Sequence, residues 1–177
     1  MTRTLIGLVV AALIAPAAAL AQAPPGTTDG DYEQIPVGGD VRATLAITLG
    51  PAATFGAFAA GVEHTYTTDM TAKVISTAGD ALLSVADPSS VATGHLVNGA
   101  FSLPQPLLAH ATSAAGAGGS YAPVGGAARP TSLLTYPGPV SNDGVTIGFS
   151  QAIAASDALR TGTYSKTLTF TLSTTKP

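Results

Sequence analysis

The chain has 177 residues, of which only 10% are charged, a formal net charge of -3 and no cysteine. Disulfides, thiolate nucleophiles and thiolate metal sites are therefore excluded, and there is too little charge of either sign to hold a nucleic acid or an anionic lipid surface. The surface must be built largely from Ser, Thr, Gly and Ala, hydrated by hydroxyls rather than by charge.

Met1-Thr-Arg3, the apolar run from Leu5 to Ile14 and Ala19-Leu20-Ala21 match the n-region, h-region and A-x-A cleavage pattern of a secretory signal peptide. Residues 1–21 are assigned that role, and Pro16 with the small residues after it favours cleavage over a retained anchor. No later segment approaches the roughly 18 uninterrupted apolar residues of a spanning helix, so no membrane span is expected after cleavage. The product is expected to be secreted, in the medium or at the cell surface. Residues 22–36, rich in Pro, Gly and Thr and carrying Asp29, Asp31 and Glu33, read as a flexible leader. Those carboxylates lack the Gly and closing Glu of a calcium loop and are expected to be solvated. Residues 37–177 remain for one folded domain.

Within it, Val41, Ala43, Leu45, Ile47 and Leu49 alternate with Arg42, Thr44, Ala46 and Thr48 and predict a first strand that stops at Gly50-Pro51. Thr54 to Phe58 predicts a short aromatic strand. Tyr66, Thr68, Met70, Ala72 and Val74 then share one face opposite Thr65, Thr67, Asp69, Thr71 and Lys73, and Ala81 to Asp87 follows as the expected hairpin partner across Ser76–Asp80. Asn98-Gly99 predicts a small hairpin between Gly94–Val97 and Ala100–Leu103. Leu107 to Thr112 is a further strand, and Ser113 to Pro130, with its glycines and prolines, predicts a long loop. Ser132 to Tyr136 resumes as a strand. Val145, Ile147, Phe149, Gln151 and Ile153 define the inward face of the next, and Ala154 to Leu159 is the only stretch suited to a turn of helix. From Thr163 to Thr175 every odd position is Ser or Thr, while Tyr164, Lys166, Leu168, Phe170 and Leu172 share the other face. The last strand is thus expected to fill the core, with Lys166 snorkelling or near an edge. Eight or nine strands and almost no helix predict an all-β, antiparallel two-sheet sandwich of immunoglobulin-like or jelly-roll-like Greek-key type.

The chain advertises no chemistry. His64, His95 and His110 fall on separate segments without local metal-ligand spacing, and no G-x-S-x-G is present around Gly118-Gly-Ser120. Glu33 and Glu63 are the only glutamates, which leaves paired carboxylates for glycoside hydrolysis hard to assemble. No catalytic, cofactor or metal residue is assigned. The one nominated constellation is structural: Leu159, Gly162 and Tyr164 have the spacing of a tyrosine corner, in which the hydroxyl returns to backbone a few residues upstream.

Tyr164, Phe170, Leu172 and Pro177 resemble the closing Tyr, Trp-x-Leu, Pro pattern of the WxL-type cell-surface proteins of Gram-positive bacteria, and Leu83-Ser-Val85-Ala-Asp87 is similar to an earlier strand of that family. Phe170 stands where the family has Trp, and its other Trp-x-Leu motif has no counterpart here. The resemblance implies an all-β extracellular domain held non-covalently at the cell wall. The residues and the resemblance together lead to a non-enzymatic adhesion or interaction module for cell wall, glycan or another surface protein. The alternatives are a structural subunit that assembles by strand exchange, with Gln22 to Pro36 as donor, and a jelly-roll hydrolase or metal enzyme.

Overall fold

The computed structural model describes residues 35–174. The segment read as a signal peptide, the acidic triplet and most of the stretch read as a leader lie outside the described residues. The chain divides into a unit Met1–Gly38 and a domain Gly39–Pro177, and every described strand belongs to the domain.

The domain is an all-β antiparallel sandwich. In chain order the described strands are β1 (Leu45–Leu49), β2 (His64–Ser76), β3 (Ala81–Asp87), β4 (Val97–Asn98), β5 (Phe101–Ser102), β6 (Leu108–Ser113), β7 (Ala117–Gly118), β8 (Ala122–Pro123), β9 (Gly125–Gly126), β10 (Thr131–Tyr136), β11 (Val140–Ile153) and β12 (Thr169–Ser173). Sheet A has the order β1-β2-β11-β6-β8, sheet B the order β12-β3-β10-β7, and β9 adds to β3 in parallel. Five of the twelve strands are only two residues long, which is why the pattern predicted fewer.

Sheet A is anchored by the long β2–β11 ladder, in register from Asp143↔Val74 to Ile153↔His64. The alternation expected of β2 holds from Tyr66 to Val74, whereas in β11 it gives way to continuous burial from Ile147 to Gln151. Ala72 and Val74 of β2 and Val145, Ile147, Phe149 and Ile153 of β11 are buried, while Thr67, Asp69, Thr71, Lys73 and Thr146 are exposed. They meet Leu83 and Val85 of β3 and Leu134 and Tyr136 of β10 in one core cluster between the sheets.

β2 and β3 do not form a hairpin. They lie in different sheets, joined by Thr77–Asp80 across the layers. In β3 every residue but Leu82 is buried, on both faces, and a strand of that kind belongs in the interior of a sheet, here between β10 and β12. Thr54 to Phe58 is not a strand either. Gly56 and Gly61 adopt φ of 75° and 76°, and the segment lies as a loop whose Phe58 packs edge-on against Tyr66 at 4.9 Å between centroids.

The expected small hairpin forms one residue later. Val97 pairs Ser102 and Asn98 pairs Phe101, so the turn is Gly99-Ala100, with Gly99 at φ 61°; a glycine in the first central position is what such a turn requires. The glycine-rich Ser113–Pro130 is not an open loop: β7 pairs β10, β8 pairs β6 and β9 pairs β3, stitching both sheets. A β-carbon at Gly118 would collide with the Ala111 carbonyl, so the glycines there mark close backbone passage. Ala154–Leu159 forms no helix. Asp157 closes it as a turn, its Oδ2 accepting from the Ala154 amide at 2.8 Å while its own amide donates to the Ala154 carbonyl.

The last strand is shorter than its pattern and lies at an edge. Only Thr169–Ser173 ladders, onto β3, with Phe170 and Leu172 half-buried toward the core. The residues ahead of it are held otherwise, Ser165 bridging Val97 through two backbone hydrogen bonds. Lys166 does not snorkel into solvent. Its ammonium is 2.9 Å from Asp87 Oδ2, with the two side chains 5% and 0% exposed, and it also donates to the Val91 and Ala92 carbonyls at 2.8 and 3.1 Å.

Candidate functional site

The outer face of sheet A is where polar side chains of different strands come into line. Cross-strand pairing sets them in rows: Thr71, Thr146 and Thr112; Asp69, Gly148 and His110; Thr67, Ser150 and Leu108. Because residues directly opposite one another share a face, the middle row carries a carboxylate and an imidazole on either side of a residue with no side chain. Gly148 forms the floor of a notch. A β-carbon there would run into His110 Nε2 and lie 2.9 Å from Asp69 Oδ1, so both polar tips lean over the glycine.

Tyr121, in the turn before β8, closes the third side. Its ring lies against His110, tilted by 51° with centroids 4.1 Å apart, and it is 39% exposed. Partial burial pushes the Tyr121 phenol above its ordinary value, and the Asp69 charge pushes it further; the phenol therefore stays a donor at neutral pH. The notch presents an ionisable acceptor, a two-sided imidazole and a phenol donor in a surround of threonine hydroxyls, an arrangement suited to holding a neutral polyhydroxylated ligand.

Among the described residues His110 makes no hydrogen bond to a hydroxyl. The three histidines do not converge: His64 sits edge-on to Tyr66, His95 Nδ1 pairs with the Leu103 carbonyl at 2.8 Å, and His110 lies in the notch. No group of three metal-ligating side chains occurs among the described residues.

The sequence-nominated Leu159, Gly162 and Tyr164 lie together beside a shallow cleft of about 420 Å³, lined also by Gly56 and Phe58. Tyr164 Oη accepts from the Arg160 amide at 2.9 Å. Leu159 packs on the core, and Gly162, at φ 134°, sits over the Asn98 amide where a β-carbon has no room. Tyr66 does the same for the other wall, accepting from the Ala59 amide at 2.9 Å. These contacts hold backbone in place, and Arg160, which also lines the cleft, has its guanidinium over the Phe101 ring at 4.4 Å.

The Asp87–Lys166 pair is also structural. Burial pushes the Asp87 carboxyl up, but the Gly94 amide, Lys166 and the Ser89 amide together hold it below the ordinary 3.8. Amide formation between the two side chains needs a protonated carboxyl and a free amine; an ionised Asp87 and an ammonium with three acceptors provide neither.

Sequence reasoning missed the notch. The outward parity of Asp69 and Gly148 was legible, but only the register brings His110 and Tyr121 to them. Comparison with protein families, curated proteins and solved structures finds no match for this chain.

Proposed function

We propose that the chain is a secreted, non-enzymatic sandwich module that binds a glycan across the outer face of sheet A, with Asp69, His110 and Tyr121 as its anchor. The observation that carries this reading is the glycine-floored row Asp69–Gly148–His110, capped by an aromatic ring and flanked by threonines. A carboxylate and a phenol donor side by side match the acceptor and donor pattern of vicinal hydroxyls, and a ring over the notch offers an apolar face to a sugar. The signal-peptide pattern supports a place outside the cytosol, and the WxL-type resemblance supports cell-wall polysaccharide as the glycan.

Retention on isolated cell walls and purified polysaccharides tests it. The wild-type chain should be retained, and Gly148→Val should not, because the new side chain takes the volume the ligand needs. That substitution displaces two flexible side-chain tips on the outer face and leaves the core alone, so the fold should persist. Wild-type protein that is retained on no polysaccharide, or a Gly148→Val protein retained as well as wild type, would overturn the reading.

A further inference from the structure

Gly148 has a counterpart earlier on β11. Gly144 lies opposite Lys73 of β2 as Gly148 lies opposite Asp69, and on its other side Lys73 pairs Thr48 of β1. Thr48, Lys73 and Gly144 therefore share the outer face of sheet A. Apart from its chain neighbours, no atom comes within 4 Å of where a β-carbon on Gly144 would sit. The row lies in a depression of about 510 Å³ whose lining also includes Thr71 and Thr146. Those two belong to the threonine row beside the Asp69–His110–Tyr121 notch, so a single row of hydroxyls separates the depression from the notch on one continuous face.

Lys73 is exposed, and its ammonium has no partner among the described residues. Neither its row nor the threonine row holds a carboxylate. Asp143, next to Gly144 in sequence, pairs with Val74 on the opposite face and accepts from the Tyr136 hydroxyl at 3.0 Å. The next charge on the outer face of β2 is Asp69, about 14 Å away along the strand and so beyond the roughly 8 Å over which charges act at physiological salt. We propose that this depression is a second subsite that takes an anionic group, carboxylate or phosphate, and hence that the glycan bound on this face is an acidic one. Lys73 supplies the counter-charge, and the Thr48 and Thr146 hydroxyls supply donors beside it. Because this subsite rests on the glycan reading of the notch, its ligand is a unit of the same polymer. Asp69 repels an acidic unit and accepts from the hydroxyls of a neutral one, so the two ends of the face sort the units of one chain. An oligosaccharide spans the gap between them, and a monosaccharide does not.

Titration calorimetry of the purified chain with three polymers tests it, at low salt where exposed charges are least screened. The polymers are a polyuronate, the same polyuronate with its carboxyl groups reduced to alcohols, and a polysaccharide bearing phosphodiesters. The wild type should bind at least one acidic polymer more tightly than the reduced one, and which of the two it prefers distinguishes carboxylate from phosphate. Lys73→Gln should weaken binding of that acidic polymer about five-fold and leave the reduced polymer unchanged, while Lys73→Arg should bind as the wild type does. The side chain is exposed and unpaired, and circular dichroism of each variant confirms that the fold is kept. Acidic polymers bound alike by wild type and Lys73→Gln, with Gly148→Val binding none, would overturn the anionic subsite and spare the glycan reading. A wild type that binds none of the three polymers would overturn both.

Discussion

Lys166→Met removes one partner of an ion pair that water does not reach. Asp87 is 0% exposed in its side chain, and its Oδ2 accepts from both Lys166 Nζ and the Gly94 amide while Oδ1 accepts from Ser89. After the change the carboxylate keeps the two amides but loses its counter-charge, and the Val91 and Ala92 carbonyls lose their donor. Breaking a buried pair in this way costs about 3–5 kcal/mol. Ala92 adds to the consequence, since it stands at φ 47°, a conformation that disfavours any residue with a β-carbon and persists only when surrounding contacts enforce it. The melting temperature should fall by roughly 10 °C, following the usual 2–4 °C per kcal/mol for a chain of this size. Urea unfolding followed by far-UV circular dichroism and tyrosine emission measures it, the chain having no Trp. The pH dependence has a definite sign. Because Asp87 is held below its unfolded value, the stability it contributes is complete above about pH 4 and is lost as pH falls through the folded value. That acid-side loss should shrink in Lys166→Met. A cost below about 1 kcal/mol, the range of solvent-exposed pairs, would refute the account of a dry structural node.

Phe170→Asp, at a half-buried core-facing position of β12, should destabilise by about 3 kcal/mol or more, whereas Thr169→Asp on the exposed face should stay within about 0.5 kcal/mol by the same urea titration. Tyr164→Phe withdraws the acceptor of the Arg160 amide and should cost about 1 kcal/mol, with no effect on polysaccharide retention. Tyr136 is fully buried with its hydroxyl donating to Asp143 at 3.0 Å, and its pKa is pushed up to about 12, chiefly by burial. Its folded value exceeds its unfolded one, so the wild type should lose stability as pH rises from about 10 to about 12. Tyr136→Phe should remove most of that alkaline slope, and an unchanged slope in a melting series would contradict it.

The sandwich was legible because β2 is covered on one face and alternates from Tyr66 to Val74, and because β11 alternates in sequence between larger apolar and small or polar residues even though Ile147–Gln151 is buried throughout. β3 shows where legibility ended. Its nearly unbroken burial breaks the alternation, as befits a strand covered on both faces inside its sheet. The glycines between Ser113 and Pro130 read as loop because a strand that passes tightly against a neighbouring carbonyl needs the same residue as a flexible turn does. Lys166 sat on the apolar face of the last strand, and nothing local could show that Asp87 waits for it. The notch is the same case: three of its residues were on the page as outward-facing or scattered, but a pairing register is a property of two strands together.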